Sequence, residues 1–155
     1  MLRDRAWIAH HVPHKGTMCL LDGVLAWDSA SIRCMSRAHR DPSNPLRARG
    51  QLSAVCGIEF AAQAMAVHGA LIGPGIGAER QSGYLAALRD ISLHVRRLDD
   101  IEGDLIADAE RVAGDDTTIL YTFVVSAHDR PLVAGRATIV TNPAGLAVPA
   151  AAARQ

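Results

Sequence analysis

One long helical pattern followed only by strand patterns is the feature that most constrains how this chain folds. Residues 53–72 favour helix: Ala61, Ala62, Ala64 and Ala66 are strong helix formers. Gly73-Pro74 then closes the stretch, with glycine at the cap and proline just beyond. The pattern is apolar almost all round, which predicts a helix buried at the centre of a domain. Glu59, Gln63 and His68 interrupt it, so it falls short of the roughly 20 unbroken apolar residues that span a bilayer.

Everything after the loop 73–82 reads as strand: 84–98, 104–113, 117–128 and 132–141. Asp115-Asp116 and Asp129-Arg130 mark turns between them. Before the helix, 2–9 forms a short helix that Pro13 stops, and 17–27 forms a strand containing Asp22 and Gly23. In 31–39 the residues alternate, with Ile32, Cys34, Ser36 and Ala38 on one face and Arg33, Met35, Arg37 and His39 on the other, a period of two that predicts a strand with one wet face. Residues 40–52 hold Pro42, Asn44, Pro45 and Gly50 and form an irregular loop. The layout is α+β, a sheet wrapped around one apolar helix. Residues 1–141 form a single domain, and the Ala- and Pro-rich stretch 142–155 a flexible tail.

Composition excludes several functions. Sixteen basic and 16 acidic residues cancel in a chain of 155, whereas nucleic-acid binding calls for a basic surface. The same balance argues against a polybasic membrane patch. The first eleven residues contain Arg3, Asp4 and Arg5 and no apolar leader core. Cys19, Cys34 and Cys56 are odd in number and widely spaced, which fits small buried hydrophobes in a reducing compartment. A cytoplasmic location follows. No metal-ligand spacing links the histidines, and 73–77 follows a helix rather than opening one, so it makes a poor nucleotide loop.

Glu59 is the most informative residue. It sits near a helix start among Val55, Ile58, Phe60 and Ala61. A carboxylate there is costly unless paired or used. Burial disfavours its charge and a helix N-terminus favours it, a competition that produces usable acids and bases; the alternative is a capping or solvent-facing Glu. Gln63 lies one turn on, on the same face, and either orients Glu59 or merely lines a groove. Gly57 opens the helix, where free N–H groups can polarise a thioester carbonyl, unless it is simply a helix-start glycine. His14 lies in the loop Val12-Pro13-His14-Lys15-Gly16, beside His10 and His11, as a possible base or a surface residue. His68 is half a turn away from Glu59 around the helix and reads as structural.

These segments resemble the (3R)-hydroxyacyl-acyl-carrier-protein dehydratases. The run Pro13-His14-Lys15-Gly16-Thr17-Met18-Cys19-Leu20-Leu21-Asp22-Gly23-Val24 is similar to their opening motif, and Gly57-Ile58-Glu59-Phe60-Ala61-Ala62-Gln63-Ala64 to their central helix. Tyr84-Leu85-Ala86-Ala87-Leu88, then Val95-Arg96-Arg97 with Gly103-Asp104-Leu105, then Leu132-Val133-Ala134-Gly135-Arg136-Ala137 follow in the family's order. The resemblance covers roughly residues 10–141 and is greatest to the divergent branch found with aryl-polyene pigment clusters.

The resemblance implies a hotdog fold, normally paired with a second hotdog as a homo-oligomer or heterodimer. It implies an acyl chain carried on the phosphopantetheine of an acyl carrier protein or coenzyme A, with no metal or diffusible cofactor. Glu59 and a His would be catalytic and Gln63 would orient Glu59. Gly57, His39 and Tyr84 would line the substrate. One departure stands out. Common members place the catalytic His in an H-F-P-G loop, whereas this loop reads Asp41-Pro42-Ser43-Asn44-Pro45-Leu46-Arg47. His14 is the preferred base and His39 the alternative. Two further activities fit: a hotdog thioesterase, and an inactive subunit that completes a partner dehydratase.

Overall fold

The computed structural model describes residues 1–12, 16–73 and 83–141. The expected tail 142–155 lies outside them. The chain begins with a two-residue strand β1 (Arg3–Asp4) and a short helix α1 (Arg5–His11), started by the Asp4 carboxylate accepting from Trp7 N–H at 2.9 Å. Then come β2 (Gly23–Trp27), β3 (Ser31–Ser36), the long helix α2 (Gly57–Ile72), and β4 (Tyr84–Leu93), β5 (Leu105–Gly114), β6 (Thr118–Ala127) and β7 (Arg130–Val140). Among the described residues, seven strands form one sheet in the order β1-β2-β3-β5-β6-β7-β4. Every neighbouring pair is antiparallel. This is the hotdog arrangement.

Side-chain chemistry sets the turns. Asp28 Oδ1 accepts from Ala30 and Ser31 N–H between β2 and β3, and Asp115 Oδ1 from Thr117 and Thr118 N–H between β5 and β6. These are Asx turns. The β6–β7 hairpin turns on His128 and Asp129, at φ 50° and 59°, a pair of left-handed residues that matches the twist of the strands it joins.

The sheet curls around α2. Phe60, Ala61, Ala64, Val67 and His68 are buried, within a core that includes Ile32, Leu105, Tyr121 and Val133. His68 is structural: one ring nitrogen lies 2.7 Å from Tyr121 Oη and the other 2.8 Å from the Asp28 carbonyl. The helix is nonetheless not covered all round. Ala66, Gly69 and Ala70 are exposed, so small residues rather than polar ones mark its open side. Cys19 and Cys34 are buried and Cys56 is half-buried. Burial pushes the Cys34 thiol up to about 12.

Three local expectations are corrected. Residues 19–22 are not strand. Their polar groups are taken by bonds outside a ladder: Leu20 N–H by Gln63, Leu20 C=O by the Ser36 hydroxyl, and Asp22 carboxylate by Arg37 N–H. The alternation expected over 31–39 ends at Cys34: Met35 and Ser36 are both buried, and His39 lies beyond the strand, buried in a 3₁₀ turn, Ala38–Arg40. At the N-terminus, Arg3 and Asp4 pair with β2 before the helix starts.

Candidate active site

The first turns of α2 carry the candidate groups. A 3₁₀ turn, Ala54–Cys56, precedes the helix and is capped by the Ser53 hydroxyl accepting from Val55 N–H at 3.4 Å. Residues 96–99 brace this entry. Leu98 N–H donates to Leu52 C=O at 2.8 Å and Ala54 N–H to Arg96 C=O at 3.0 Å. Asp99 accepts from Leu52 N–H at 2.8 Å and pairs with the Arg97 guanidinium. That guanidinium, with the Leu52 bond, holds the Asp99 carboxyl well below the usual carboxylate range.

Gln63 is fully buried and fully used. Its Oε1 accepts from Leu20 N–H at 2.9 Å. That bond fixes which end of the amide is which, and so aims the NH₂ at two acceptors: Met18 C=O at 2.8 Å and Glu59 Oε1 at 3.2 Å. The half-buried Glu59 carboxylate is therefore held by a donor that cannot rotate away without breaking two other bonds. This junction of helix and 18–20 segment was invisible in sequence apart from the four-residue spacing.

The remaining candidates fall elsewhere. Gly57 is buried at the helix start, and its N–H turns back onto the Ala54 and Val55 carbonyls. The Gly57 N–H itself is thus not a free oxyanion donor, because a 3₁₀ turn, not an open loop, enters the helix. Gly57 instead permits close packing, since a Cβ there would lie 2.8 Å from Val133 Cγ2. His39 is completely buried, with Nε2 3.0 Å from the Ile101 carbonyl and Nδ1 buried without a hydrogen-bond partner. Burial pushes its imidazole below the ordinary value, offset in part by the Ile101 bond. Tyr84 is 54% exposed at the start of edge strand β4. His14 lies outside the described residues; after it the chain resumes at Gly16 and reaches Met18, whose carbonyl Gln63 holds.

The model of the ApeP dehydratase, ApeP-like family matches residues 6–148. This chain belongs to that family. Among solved structures, the dehydratase heterocomplex ApeI:P from Xenorhabdus doucetiae superposes with a TM-score of 0.75 at 21% identity, over 87% of this chain and 90% of that one. A point mutant of the thioesterase PA1618 from Pseudomonas aeruginosa follows at 0.63 and 17%, over 90% and 94%. The thioesterase HI1161 from Haemophilus influenzae gives 0.63 and 12%, over 90% and 91%. At these identities the likeness is one of fold. No curated protein sequence matches the chain.

Among the described residues of this ApeP-like chain, no strand pairs with the outer edge of β4. Strand β4 is ten residues long and ends the sheet, and Tyr84, Leu85, Leu88 and Leu93 on it are 38–54% exposed. The strand also carries Arg89 and Asp90 and shifts register between Leu85 and Ala87 and between Arg89 and Ser92, features that blunt an edge, so its exposed apolar side chains rather than a bare ladder are what it offers a partner.

Proposed function

We propose that this ApeP-like chain dehydrates (3R)-hydroxyacyl thioesters, carried on the phosphopantetheine of an acyl carrier protein, to trans-2-enoyl thioesters. The observation that carries the reading is the Gln63 amide, locked by Leu20 and Met18 and directed at Glu59. Glu59 in its acid form protonates the C3 hydroxyl as the C3–O bond breaks. A histidine, His14 in this reading, takes the C2 proton, and the electrons of the C2–H bond form the C2=C3 double bond. Water leaves, and proton exchange with solvent restores both groups. Gln63 sets the Glu59 rotamer. Gly57 N–H, already bonded, is given no part. Aryl-polyene or fatty-acid assembly in the cytoplasm is the setting that the resemblance suggests, and no metal or diffusible cofactor enters the chemistry.

The chain works as one half of a hotdog pair, with the β4 edge as the pairing surface. The solved relative in the heterocomplex supports a heterodimer; a homodimer is the other form that the resemblance suggests. A thioesterase reading is favoured by one observation: Glu59 with a fixed amide donor suffices to direct water without any histidine.

Intact-mass analysis of a 3-hydroxyacyl carrier protein incubated with wild type and Glu59→Ala separates these readings. Loss of about 18 mass units, one water, by wild type alone supports dehydration by acid–base catalysis. Loss of the whole acyl group supports the thioesterase. No change alone, but dehydration once a second hotdog subunit is added, supports a completing subunit.

A further inference from the structure

Five polar side chains are buried among the described residues: Ser36, His39, Asn44, Gln63 and His68. Each is costly there unless hydrogen-bonded. Three of them lie on one continuous run of bonds that ends at Glu59. Asn44 Nδ2 donates to the Ala38 carbonyl at 2.7 Å, while Asn44 Oδ1 accepts from Leu46 N–H at 2.9 Å. Ala38 N–H donates to Ser36 Oγ at 3.0 Å. The Ser36 hydroxyl donates to the Leu20 carbonyl at 2.5 Å. Leu20 N–H then donates to Gln63 Oε1, and Gln63 Nε2 to Glu59 Oε1.

Ser36 is the link in this run that the proposed chemistry leaves unused. It is the last residue of β3 and is 1% exposed. Its bond from Ala38 N–H is the local kind that serines make at turns. Its bond to Leu20 reaches across 16 residues instead, and it leads to the site. Leu20 belongs to residues 19–22, which join no ladder. Its backbone groups are held by two side chains, Ser36 at the carbonyl and Gln63 at the N–H. Leu20 N–H is also what fixes the orientation of the Gln63 amide. A shift of Leu20 therefore moves the anchor of that amide, and the NH₂ aimed at Glu59 moves with it.

We propose that Ser36 is a positioning residue for Glu59, acting through Leu20 and Gln63. This role rests on the acid function given to Glu59 in the proposed reaction. The hydroxyl holds Leu20 so that Gln63 keeps the Glu59 carboxyl in its working rotamer, and Ser36 itself touches no substrate. It also ties the turn Ala38–Arg40, with Asn44 behind it, to the first turns of α2. Members of such a network act as a unit, and a double-mutant cycle separates their shared effect from independent ones.

The test is steady-state turnover of a 3-hydroxyacyl carrier protein by the full chain, in Ser36→Ala, Gln63→Ala and the double variant. Ser36→Ala is expected to lower kcat about tenfold, short of the roughly 10²-fold that a 1 Å misplacement can cost, with KM changed less than about twofold. The double variant is expected to match Gln63→Ala. Ser36→Cys, which keeps a weak donor of similar size, should fall between wild type and Ser36→Ala. Exchange of the Gln63 side-chain amide hydrogens, followed by NMR, should quicken in Ser36→Ala. Val125→Ala, in the core of β6, is the comparison for stability: it should lower the melting temperature and leave kcat and the Gln63 exchange unchanged. Unchanged kcat in Ser36→Ala, losses that multiply in the double variant, or equal losses in Val125→Ala overturn the proposal. Thiol release in place of water loss overturns the dehydratase reading, and the same comparison made on thiol release then decides Ser36. With no turnover by wild type that reading also fails, and the Gln63 exchange decides alone: quickened in Ser36→Ala it upholds the link, unchanged it overturns it.

Discussion

Gln63 Nε2 lies 3.2 Å from Glu59 Oε1, one helical turn further along α2, and the same nitrogen donates to the Met18 carbonyl at 2.8 Å. The carboxylate and the segment that follows the His14 loop are thus tied to one amide. Removing it loosens both at once.

Glu59→Ala is therefore expected to lower turnover by about 10²- to 10⁴-fold, the usual range for a general acid or base, with little change in melting temperature. Gln63→Ala is expected to do the opposite in part. It strands Leu20 N–H and Met18 C=O, costing about 1–3 kcal/mol of stability for an unsatisfied buried group, and lowers kcat more than it changes KM. Steady-state kinetics and thermal melts on both variants distinguish the roles.

Gly57 is expected to resist enlargement. A methyl group there meets Val133 Cγ2 at 2.8 Å, so Gly57→Ala should destabilise by about 1–3 kcal/mol through overpacking. Val133→Ala in the same chain should recover part of that loss if packing is the cause. Chemical denaturation of the single and double variants measures it.

Buried histidines make the fold acid-sensitive. Burial lowers the values of His39 and His68 in the folded state, so the unfolded chain binds protons that the folded chain refuses. Stability is full above the unfolded value near ~6.5, and is lost as pH falls through that value toward the lower folded ones. Melting temperature should drop between about pH 7 and pH 5. In His39→Gln the slope should be shallower, since Gln keeps an N–H for the Ile101 carbonyl and does not titrate.

The brace at the helix entry has its own signature. Asp99 holds Leu52 N–H at 2.8 Å and pairs with Arg97, and its side chain is 5% exposed. Asp99→Ala should cost about 2 kcal/mol, in the range for a hydrogen bond to a charged group. Asp99→Asn, which keeps an acceptor, should cost less. Amide hydrogen exchange at residues 52–56 should quicken in both.

How much of this was legible in the sequence depended on where each residue's bonds go. Strands β5, β6 and β7 show in their alternation because their partners are each other, and α2 in its alanines and terminal Gly73 because a helix satisfies itself. Residues 19–22 look like strand for the same apolar reasons, yet Gln63 and Ser36 take the Leu20 groups, a bond 43 residues away in the first case. Glu59 and Gln63 were visible as a pair by spacing and by family likeness. The 3₁₀ turn that uses up the Gly57 N–H was not, because no residue from Ser53 to Cys56 distinguishes it from an ordinary capped start. His39 was misplaced by extending a period of two beyond the last residue that obeys it.

The two ends of the sheet differ in what they leave open. At one end β1 offers two residues; at the other, β4 offers ten, with leucines at positions 85, 88 and 93. Joining through β4 uses up the edge that makes the joint, and β1 is too short to seed another. Assembly by this route would have a built-in stopping point after one addition, and the hydrogen-bonding potential that elsewhere propagates fibres would go into a closed particle.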